Sequence, residues 1–323
     1  MLESVGSLPR FPDILTPTSN TYVGARSLGE LAQFVYNVGA DCRKGGAHVE
    51  DRYTVVQGYK TRYWDEGTGY PVVLVHGLGS CAESWLFNVE GLAQRYRVLV
   101  PDLLGFGRSD KPTDHRELSL TRSSRFLAGF LETQGVRKAH LVGNSMGGIV
   151  SLQFAVDYPQ MVNKLVLVDP AGFGRDVHIT LRLQSLPVLG EILATPSRRN
   201  TRLSLQIASY QHGFITAELV ERFYEIARQP GMKAPYLAAV RQGITLGGVK
   251  RQILEPLQAR LSTITAPTLL IWGRHDQVLP IGHLKMAKEL LPHAQVHIFE
   301  DCGHIPQMEK PDEFNRLVMQ FLA

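Results

Sequence analysis

The stretch that decides the fold is HLVGNSMGGIVSL, residues 140–152, in which a serine lies between two glycines. An apolar run ends at Gly143, Ser145 follows in the frame G-x-S-x-G, and Gly147 closes the frame. A pattern typical of a strand is thus followed at once by a pattern typical of a helix. A serine at such a strand-to-helix turn exposes its hydroxyl above the edge of a sheet, so Ser145 is a candidate nucleophile.

Six short apolar runs predict strands that are buried on both faces of a sheet. They are PVVLVHG (71–77), RVLVPD (97–102), AHLVGNS (139–145), KLVLVDP (164–170), PTLLIWG (267–273) and QVHIFED (295–301). Helical patterns separate most of these runs, and this alternation predicts an α/β fold with a mostly parallel sheet flanked by helices. Before them, YTVVQG and KTRYWDEG alternate on either side of Gly58 and predict an antiparallel hairpin.

A long interval without strand patterns interrupts the alternation. Residues 172–254 contain only helical patterns, which predicts an all-helical insertion, or cap, between two strands of the sheet. Eleven Lys and Arg residues against five Asp and Glu residues give the insertion a net charge of +6, whereas the whole chain carries +4. The basic character is therefore local. A solvated surface explains it, and attraction of anionic substrates or membranes is the alternative.

Composition excludes several classes of protein. The 323 residues are 44% hydrophobic and 20% charged, as in a globular enzyme, and the mild net charge predicts no nucleic-acid partner. Three widely separated cysteines, Cys42, Cys81 and Cys302, predict neither a disulfide framework nor a zinc site. The first residues lack the pattern of a signal peptide and no apolar run is long enough to span a membrane, so a cytoplasmic location is expected.

Residues 1–50 are predicted to be an N-terminal extension with one helix. Ser27 and Glu30 fit a capping box, and Gly39 fits the end of the helix. The apolar stripe of this helix predicts packing on its own domain, with a dimer or a membrane contact as alternatives. The other expected segments are a first core part, the cap and a second core part, at 51–171, 172–254 and 255–323.

Two polar residues follow other predicted strands at the edge where Ser145 is expected. Asp276 comes just after PTLLIWG, and His304 comes just after QVHIFED. Because the carboxyl ends of parallel strands meet at one edge, these side chains are expected together, in the chain order of a nucleophile-elbow hydrolase. His304 is the candidate base and Asp276 the candidate orienting acid. His275 is a rival base, and Asp169, after KLVLV, is a rival acid.

An oxyanion that forms during acyl transfer needs two backbone N–H donors. Met146, directly after the nucleophile, is expected to supply one donor, and Leu78 in the motif VHGLGS is expected to supply the other. His76 in the same motif is predicted to bond loop backbone. Asp102 and Ser109 in PDLLGFGRSDKP are predicted to fix their own loop.

Several ordered motifs together resemble the α/β-hydrolase superfamily over roughly residues 53–323. They are HGLG, PDLLGFGRSDKP, GNSMGG, WGRHDQVLP and CGHIPQMEKP. The resemblance is to serine-nucleophile members with a helical cap, and it implies a Ser145–His304–Asp276 triad beneath the cap. Haloalkane dehalogenases and epoxide hydrolases fit less well, because their elbow carries aspartate.

The predicted function is hydrolysis of small apolar acyl or aryl carboxylic esters, with no metal or other cofactor. An apolar pocket is suggested by four cap leucines, Leu181, Leu183, Leu186 and Leu189, although packing in the core is an equal alternative for most of them. GNSMGG and HIFEDCGH are also similar to the carbon–carbon hydrolases of meta-cleavage products, which are the alternative. Those enzymes often carry an aromatic residue where this chain has Ile305. They also need a fixed cation, for which the candidates are Arg175, Arg182 and Arg274.

Two other classes are rivals. The sequence GLGSCA after a predicted strand, with an acid at Asp102, imitates a dinucleotide fingerprint and suggests a nicotinamide oxidoreductase. A ligand-binding protein of the same fold without catalytic activity is the second rival. The order of Ser145, Asp276 and His304 argues against both. The exact substrate and the oligomeric state are not determined by the sequence.

Overall fold

The computed structural model describes residues 49–323, in which an eight-stranded sheet forms the centre. The predicted helix with Ser27, Glu30 and Gly39, together with Cys42, lies outside the described residues. The strands of this sheet are β1 (Arg52–Val56), β2 (Tyr59–Glu66), β3 (Tyr70–Val75), β4 (Tyr96–Pro101), β5 (Ala139–Asn144), β6 (Val162–Val168), β9 (Thr268–Gly273) and β10 (Gln295–Phe299).

The strand order is β1-β2-β4-β3-β5-β6-β9-β10. The six strands from β4 to β10 in this order pair in parallel. The hairpin of β1 and β2 is antiparallel and adds to the sheet through β4. The predictions of a mostly parallel sheet and of an N-terminal hairpin are therefore confirmed.

Both faces of the sheet are buried, which explains the unbroken apolar runs of its strands. Successive side chains point to opposite faces of a strand. In β3, Val73 and Val75 belong to one hydrophobic core, and Val72 and Leu74 belong to the other. The helices that flank the sheet are α1 (Val89–Ala93), α2 (Leu120–Thr133), α3 (Met146–Asp157), α9 (Arg251–Gln258), α10 (His283–Leu290), α11 (Pro306–Glu309) and α12 (Pro311–Leu322).

The insertion between β6 and β9 contains five helices and one short hairpin. Its helices are α4 (Ile179–Gln184), α5 (Leu189–Leu193), α6 (Arg198–Ala208), α7 (Ala217–Ala227) and α8 (Lys233–Gly243). The sequence did not predict the antiparallel pair β7 (Ile244–Thr245) and β8 (Gly248–Val249), so the cap is helical apart from this hairpin.

A helical pattern in the cap is also shorter than the sequence suggested. The stretch ITLRLQSLPVLGEIL divides into α4 and α5 at Pro187, since proline disfavours helical backbone in the residue before it. Val188 then adopts a φ of 66°. Among residues 49–323, no helix has the length and apolar character needed to cross a bilayer.

Candidate active site

Ser145 occupies a sharp turn between β5 and α3. Its backbone has φ 58° and ψ −116°, a conformation that costs free energy for any residue with a side chain. Hydrogen bonds hold the turn: the N–H of Ser145 donates to the carbonyl of Val168 (3.0 Å), and its carbonyl accepts from the N–H groups of Gly148 (2.9 Å) and Ala171 (3.0 Å). The turn is therefore fixed by the neighbouring strand β6 and by the segment that follows it.

The two glycines of the frame are required by close backbone contacts. A Cβ on Gly143 would lie 2.5 Å from Oγ of Ser151, and it would also overlap the carbonyl oxygen of Gly147. A Cβ on Gly147 would overlap the carbonyl oxygen of Val75 at the end of β3. The helix α3 approaches β3 and β5 this closely only because neither position carries a side chain.

We expect Gly147→Ala to destabilise the protein by about 3 kcal/mol or more, because the backbone of β3 has no room for the added methyl group. Urea unfolding curves measure this difference. The control is Gly213→Ala in the cap, where nothing lies within 4 Å of the added Cβ, and its effect should stay within about 0.5 kcal/mol. Equal unfolding midpoints for the two variants would contradict the steric explanation.

The loop after β3 lies directly against Ser145. A Cβ built on Gly77 would be 3.3 Å from Cβ of Ser145, so the loop that carries Leu78 adjoins the candidate nucleophile. His76 fixes this loop as expected: its Nδ1–H donates to the carbonyl of Gly77 (2.8 Å), and its Nε2 accepts from the N–H of Leu103 (2.9 Å). Burial lowers the pKa of His76, which keeps its ring neutral.

His304 and Asp276 meet at the same edge of the sheet. Nδ1–H of His304 donates to Oδ2 of Asp276 (2.7 Å), and both side chains are buried. Oδ1 of Asp276 accepts from the N–H groups of Val278 (2.7 Å) and Leu279 (2.9 Å). These donors fix the carboxylate, and the carboxylate fixes the tautomer of His304 that leaves Nε2 able to accept a proton.

The side chain of Asn144 joins the nucleophile turn to the His304 loop. Its Nδ2 donates to the carbonyls of His304 (3.0 Å) and Val168 (3.1 Å). Within the part of the chain that the structure describes, Ser145 Oγ makes no direct hydrogen bond to the His304 ring. The structure thus brings the three predicted residues to one strand edge and holds two of them in contact.

The rival residues occupy different positions. His275 is exposed and stacks on Tyr210, with ring centroids 4.0 Å apart and planes at 14°. It therefore faces the cap, and the hydrogen bond to Asp276 belongs to His304. Asp169 is fully buried at the end of β6, and one of its carboxylate oxygens lies within 4.8 Å of the Asp276 carboxylate and a ring nitrogen of His304.

Comparisons with known proteins agree with this fold. The sequence model of the alpha/beta hydrolase fold family matches residues 70–311. This chain belongs to the α/β-hydrolase family. A 2-hydroxy-6-oxo-6-phenylhexa-2,4-dienoate hydrolase of Burkholderia cepacia is 35% identical to it over 266 residues, which cover 80% of this chain and 90% of the relative.

Two solved structures are also similar to this hydrolase. A meta-cleavage product hydrolase from Pseudomonas fluorescens superposes with a TM-score of 0.73 at 32% identity, and the match covers 85% of this chain and 97% of the other. A membrane phospholipase A, a bacterial virulence factor, superposes with a TM-score of 0.70 at 28% identity and covers 91% of this chain and 92% of the other.

Sequence reasoning missed a buried ion network beside the loop that carries Leu78. Arg62 is 1% exposed and donates to both oxygens of Glu83 (2.9 Å each) and to Asp102 (3.3 Å). Asp102 also accepts from the N–H of Ala82 (2.7 Å), and its carbonyl accepts from the Ser109 hydroxyl (2.8 Å). The expected loop-fixing role of Asp102 and Ser109 is confirmed. The sequence signal for this network is the charge of Arg62 within the partly apolar strand pattern KTRYWDEG.

The ion network predicts an acid dependence of stability. Burial alone would raise the pKa of Glu83, but the charge and hydrogen bonds of Arg62 outweigh it and lower the pKa to about 2, from 4.5. A carboxyl with a lowered folded-state pKa stabilises above its unfolded pKa, and this stabilisation disappears as the pH falls from about 4.5 to about 2.

Glu83→Gln should therefore lower the free energy of unfolding by about 3 kcal/mol at pH 7, and the difference from the unsubstituted protein should shrink towards pH 2. Urea unfolding at pH 7, 5 and 3 measures this convergence. The control is Glu221→Gln, which removes an exposed partner of Arg198 and should have only a small effect on stability at every pH. A constant difference for Glu83→Gln would contradict the assignment.

A second feature that sequence reasoning missed is Glu309, which ties the cap to the His304 loop. Its Oε2 accepts from the N–H groups of residues 210–211 (2.9 and 2.8 Å), and its Oε1 accepts from the N–H of Gly303 (2.8 Å). The N–H of His304 donates to the cap carbonyl of Ala208 (2.7 Å). The position of His304 therefore depends on the docking of the cap.

The cap of the hydrolase also covers the loop that carries Leu78. The ring of Tyr236 on α8 lies so close to Gly79 that a Cβ there would be 2.8 Å from it. The Tyr236 hydroxyl donates to Gln184 on α4 (2.6 Å), and burial raises the pKa of Tyr236 to about 12. Tyr236 and Gln184 are thus neutral polar groups beside the loop that carries Leu78.

The three arginines that were candidates for binding an anionic substrate group have other partners. Arg175 donates to the carbonyls of Val249 (3.1 Å) and Gly247 (3.1 Å) in the hairpin of β7 and β8. Arg182 donates to Val177 and Asp176, and Arg274 pairs with Glu300. Each of these side chains is engaged by its own surroundings.

Proposed function

We propose that the chain is a serine hydrolase in which Ser145 attacks a carbonyl carbon. Nε2 of His304 accepts the hydroxyl proton and returns it to the leaving group, while Asp276 orients the ring and stabilises its charged form. The N–H groups of Leu78 and Met146 bind the oxyanion. Water then attacks the acyl-enzyme with His304 again as base. The 2.7 Å contact between His304 and Asp276, at the strand edge that carries the Ser145 turn, is the observation that carries this mechanism.

The substrate class that we propose first is a meta-cleavage product, in which a carbon–carbon bond next to a ketone is cleaved. Support comes from the Burkholderia relative and the Pseudomonas structure, which match at 35% and 32% identity along most of both chains. A dienol substrate loses its hydroxyl proton and takes up a proton on carbon, which converts it to a ketone. The new carbonyl then accepts the electron pair of the broken bond, and the other fragment remains as the acyl-enzyme. This route needs no cofactor.

A second candidate is hydrolysis of an apolar carboxylic ester, the function predicted from the sequence. Ile305, which follows His304, packs in an apolar cluster with Leu219 and Met308, and the three candidate arginines are engaged elsewhere. These surroundings suit an acyl chain better than a dienoate carboxylate. Likeness to a phospholipase at 28% identity supports the same class.

The relative rates on two substrates decide between the candidates. We expect kcat/KM for a 2-hydroxy-6-oxo-dienoate to exceed that for a medium-chain p-nitrophenyl ester by about a hundredfold, or about 2.7 kcal/mol in transition-state binding. Both values are measured on one enzyme batch, with Ser145→Ala as the blank for hydrolysis without the nucleophile. A preference of the same size for the ester would reverse the assignment, and hydrolysis of neither beyond the Ser145→Ala blank would contradict both.

A further inference from the structure

Asp169 is a buried carboxyl group that the proposed mechanism does not use. It lies directly after β6, is fully buried, and has a φ of 43°. Oδ1 accepts from the N–H of Gly273 (2.8 Å), whereas Oδ2 is buried with no hydrogen-bond donor among the described residues. A buried ionised carboxylate oxygen without a donor is costly, so the state of this group requires an explanation.

The neighbour of Asp169 is a second carboxyl with a richer set of donors. Asp276 accepts three hydrogen bonds, from His304 Nδ1 and from two backbone N–H groups, whereas Asp169 accepts one. Oxygens of the two carboxyl groups and a nitrogen of His304 all lie within 4.8 Å of one another. Two like charges this close in a buried site cannot both be stable, and the carboxyl with more donors retains the charge.

We propose that Asp169 is a neutral carboxylic acid whose Oδ2–H donates a hydrogen bond to the carboxylate of Asp276. This proton satisfies the orphaned oxygen and gives Asp276 a fourth donor. Asp169 is then a positioning residue, which acts on the proposed reaction through Asp276. Burial and the charge of Asp276 raise the pKa of Asp169 well above its usual range, in agreement with this assignment.

The other titratable groups around Asp169 favour the same state. Glu309 adds a negative charge that also raises the pKa of Asp169, and Cys302, next to Glu309, is a buried thiol whose pKa burial raises. The ion pairs of residues 49–323 include none with Asp169. No ion pair among these residues therefore stabilises the ionised form of Asp169.

Asp169→Asn tests the proposal, because asparagine keeps the shape and an N–H donor but has no charge in any state. If Asp169 is neutral, the charge around His304 is unchanged, and the pH midpoint at which activity rises should stay where it is in the unsubstituted enzyme. If Asp169 is ionised, its loss removes a negative charge that favours protonated His304, and the midpoint should fall by about one pH unit or more. That fall would overturn the proposal.

Asp169→Leu removes the donor, and we expect a loss in kcat of about 10- to 100-fold with little change in KM. In an Asp276→Asn background the same substitution should cost little further, because no carboxylate remains to be positioned. Equal losses in both backgrounds would show that Asp169 serves only the fold and would contradict the positioning role.

Infrared spectroscopy provides a readout that is independent of activity and of the folding of the leucine variant. At pH 7 the unsubstituted protein should show a protonated-carboxyl band that Asp169→Asn lacks. Absence of that band would overturn the proposal even if the enzyme is active. Presence of the band in a protein that hydrolyses no substrate would leave the assignment of Asp169 standing and contradict the proposed function instead.

Discussion

Ser145→Ala is expected to lower kcat by about 10⁴-fold or more. The variant lacks the oxygen that attacks the carbonyl carbon, and only substrate binding and the N–H donors for the oxyanion remain. The variant should fold, because alanine fits the turn and Oγ of Ser145 makes no structural hydrogen bond to a described residue. Steady-state kinetics on the better of the two substrates measures the loss, and circular dichroism checks the fold.

The matched control is Ser151→Ala, which removes from α3 a buried hydroxyl that has no hydrogen-bond partner among residues 49–323 and should leave kcat within about threefold. Adding His304→Ala to Ser145→Ala should cost less than about tenfold more, because the members of a triad act as a unit. A folded Ser145→Ala protein that keeps a tenth of the normal rate would contradict the assignment of Ser145 as the nucleophile.

Arg62→Met is expected to have the largest effect on stability, about 3–5 kcal/mol at pH 7. Glu83 keeps Arg108 as a partner at 2.6 Å, but Asp102 is fully buried and is left with backbone donors only. Removing one member of a buried ion pair leaves the other charge without compensation, which costs more than the pair itself contributes. Urea unfolding measures the loss.

Arg198→Met provides the control for this substitution. Arg198 pairs with Glu221 at 2.6 Å, but its side chain is 63% exposed, so the variant should be destabilised far less than Arg62→Met. Arg62→Met should also reduce kcat in the folded fraction, because Asp102 and Glu83 hold the C-terminal end of the loop that carries Leu78. A loss of stability no larger than that of the Arg198 variant would contradict this account of the network.

The dependence of the site on the cap explains why the two substrate candidates are hard to separate from sequence. The proposed nucleophile, base and acid lie at strand ends, where strong local patterns mark them. The cap segments beside these residues are α4, α8 and the segment after α6, and the cap contacts the core through Tyr236 and Glu309. The surroundings of the site therefore depend on contacts between segments far apart in the chain.

The sequence by itself determined the parallel sheet, the hairpin before it and the strand ends at which Ser145, Asp276 and His304 lie. These features follow from short-range physics: side-chain periodicity marks buried strands, and the steric requirement for glycine marks the turn at Ser145. The chain order of the motifs then brought three separate strand ends to one edge, because parallel strands share their carboxyl side.

The sequence named Asp276 as the acid and Asp169 as its rival, and only the tertiary structure shows that Asp276 meets His304. Both carboxyl groups follow buried strands. The difference lies in the donors that reach each group, three for Asp276 and one for Asp169, and in the contact with Nδ1 of His304. The sequence did not predict the partners of Arg62 and Glu309, for the same reason. Hydrogen bonding and desolvation depend on residues distant in sequence, and no local pattern records them.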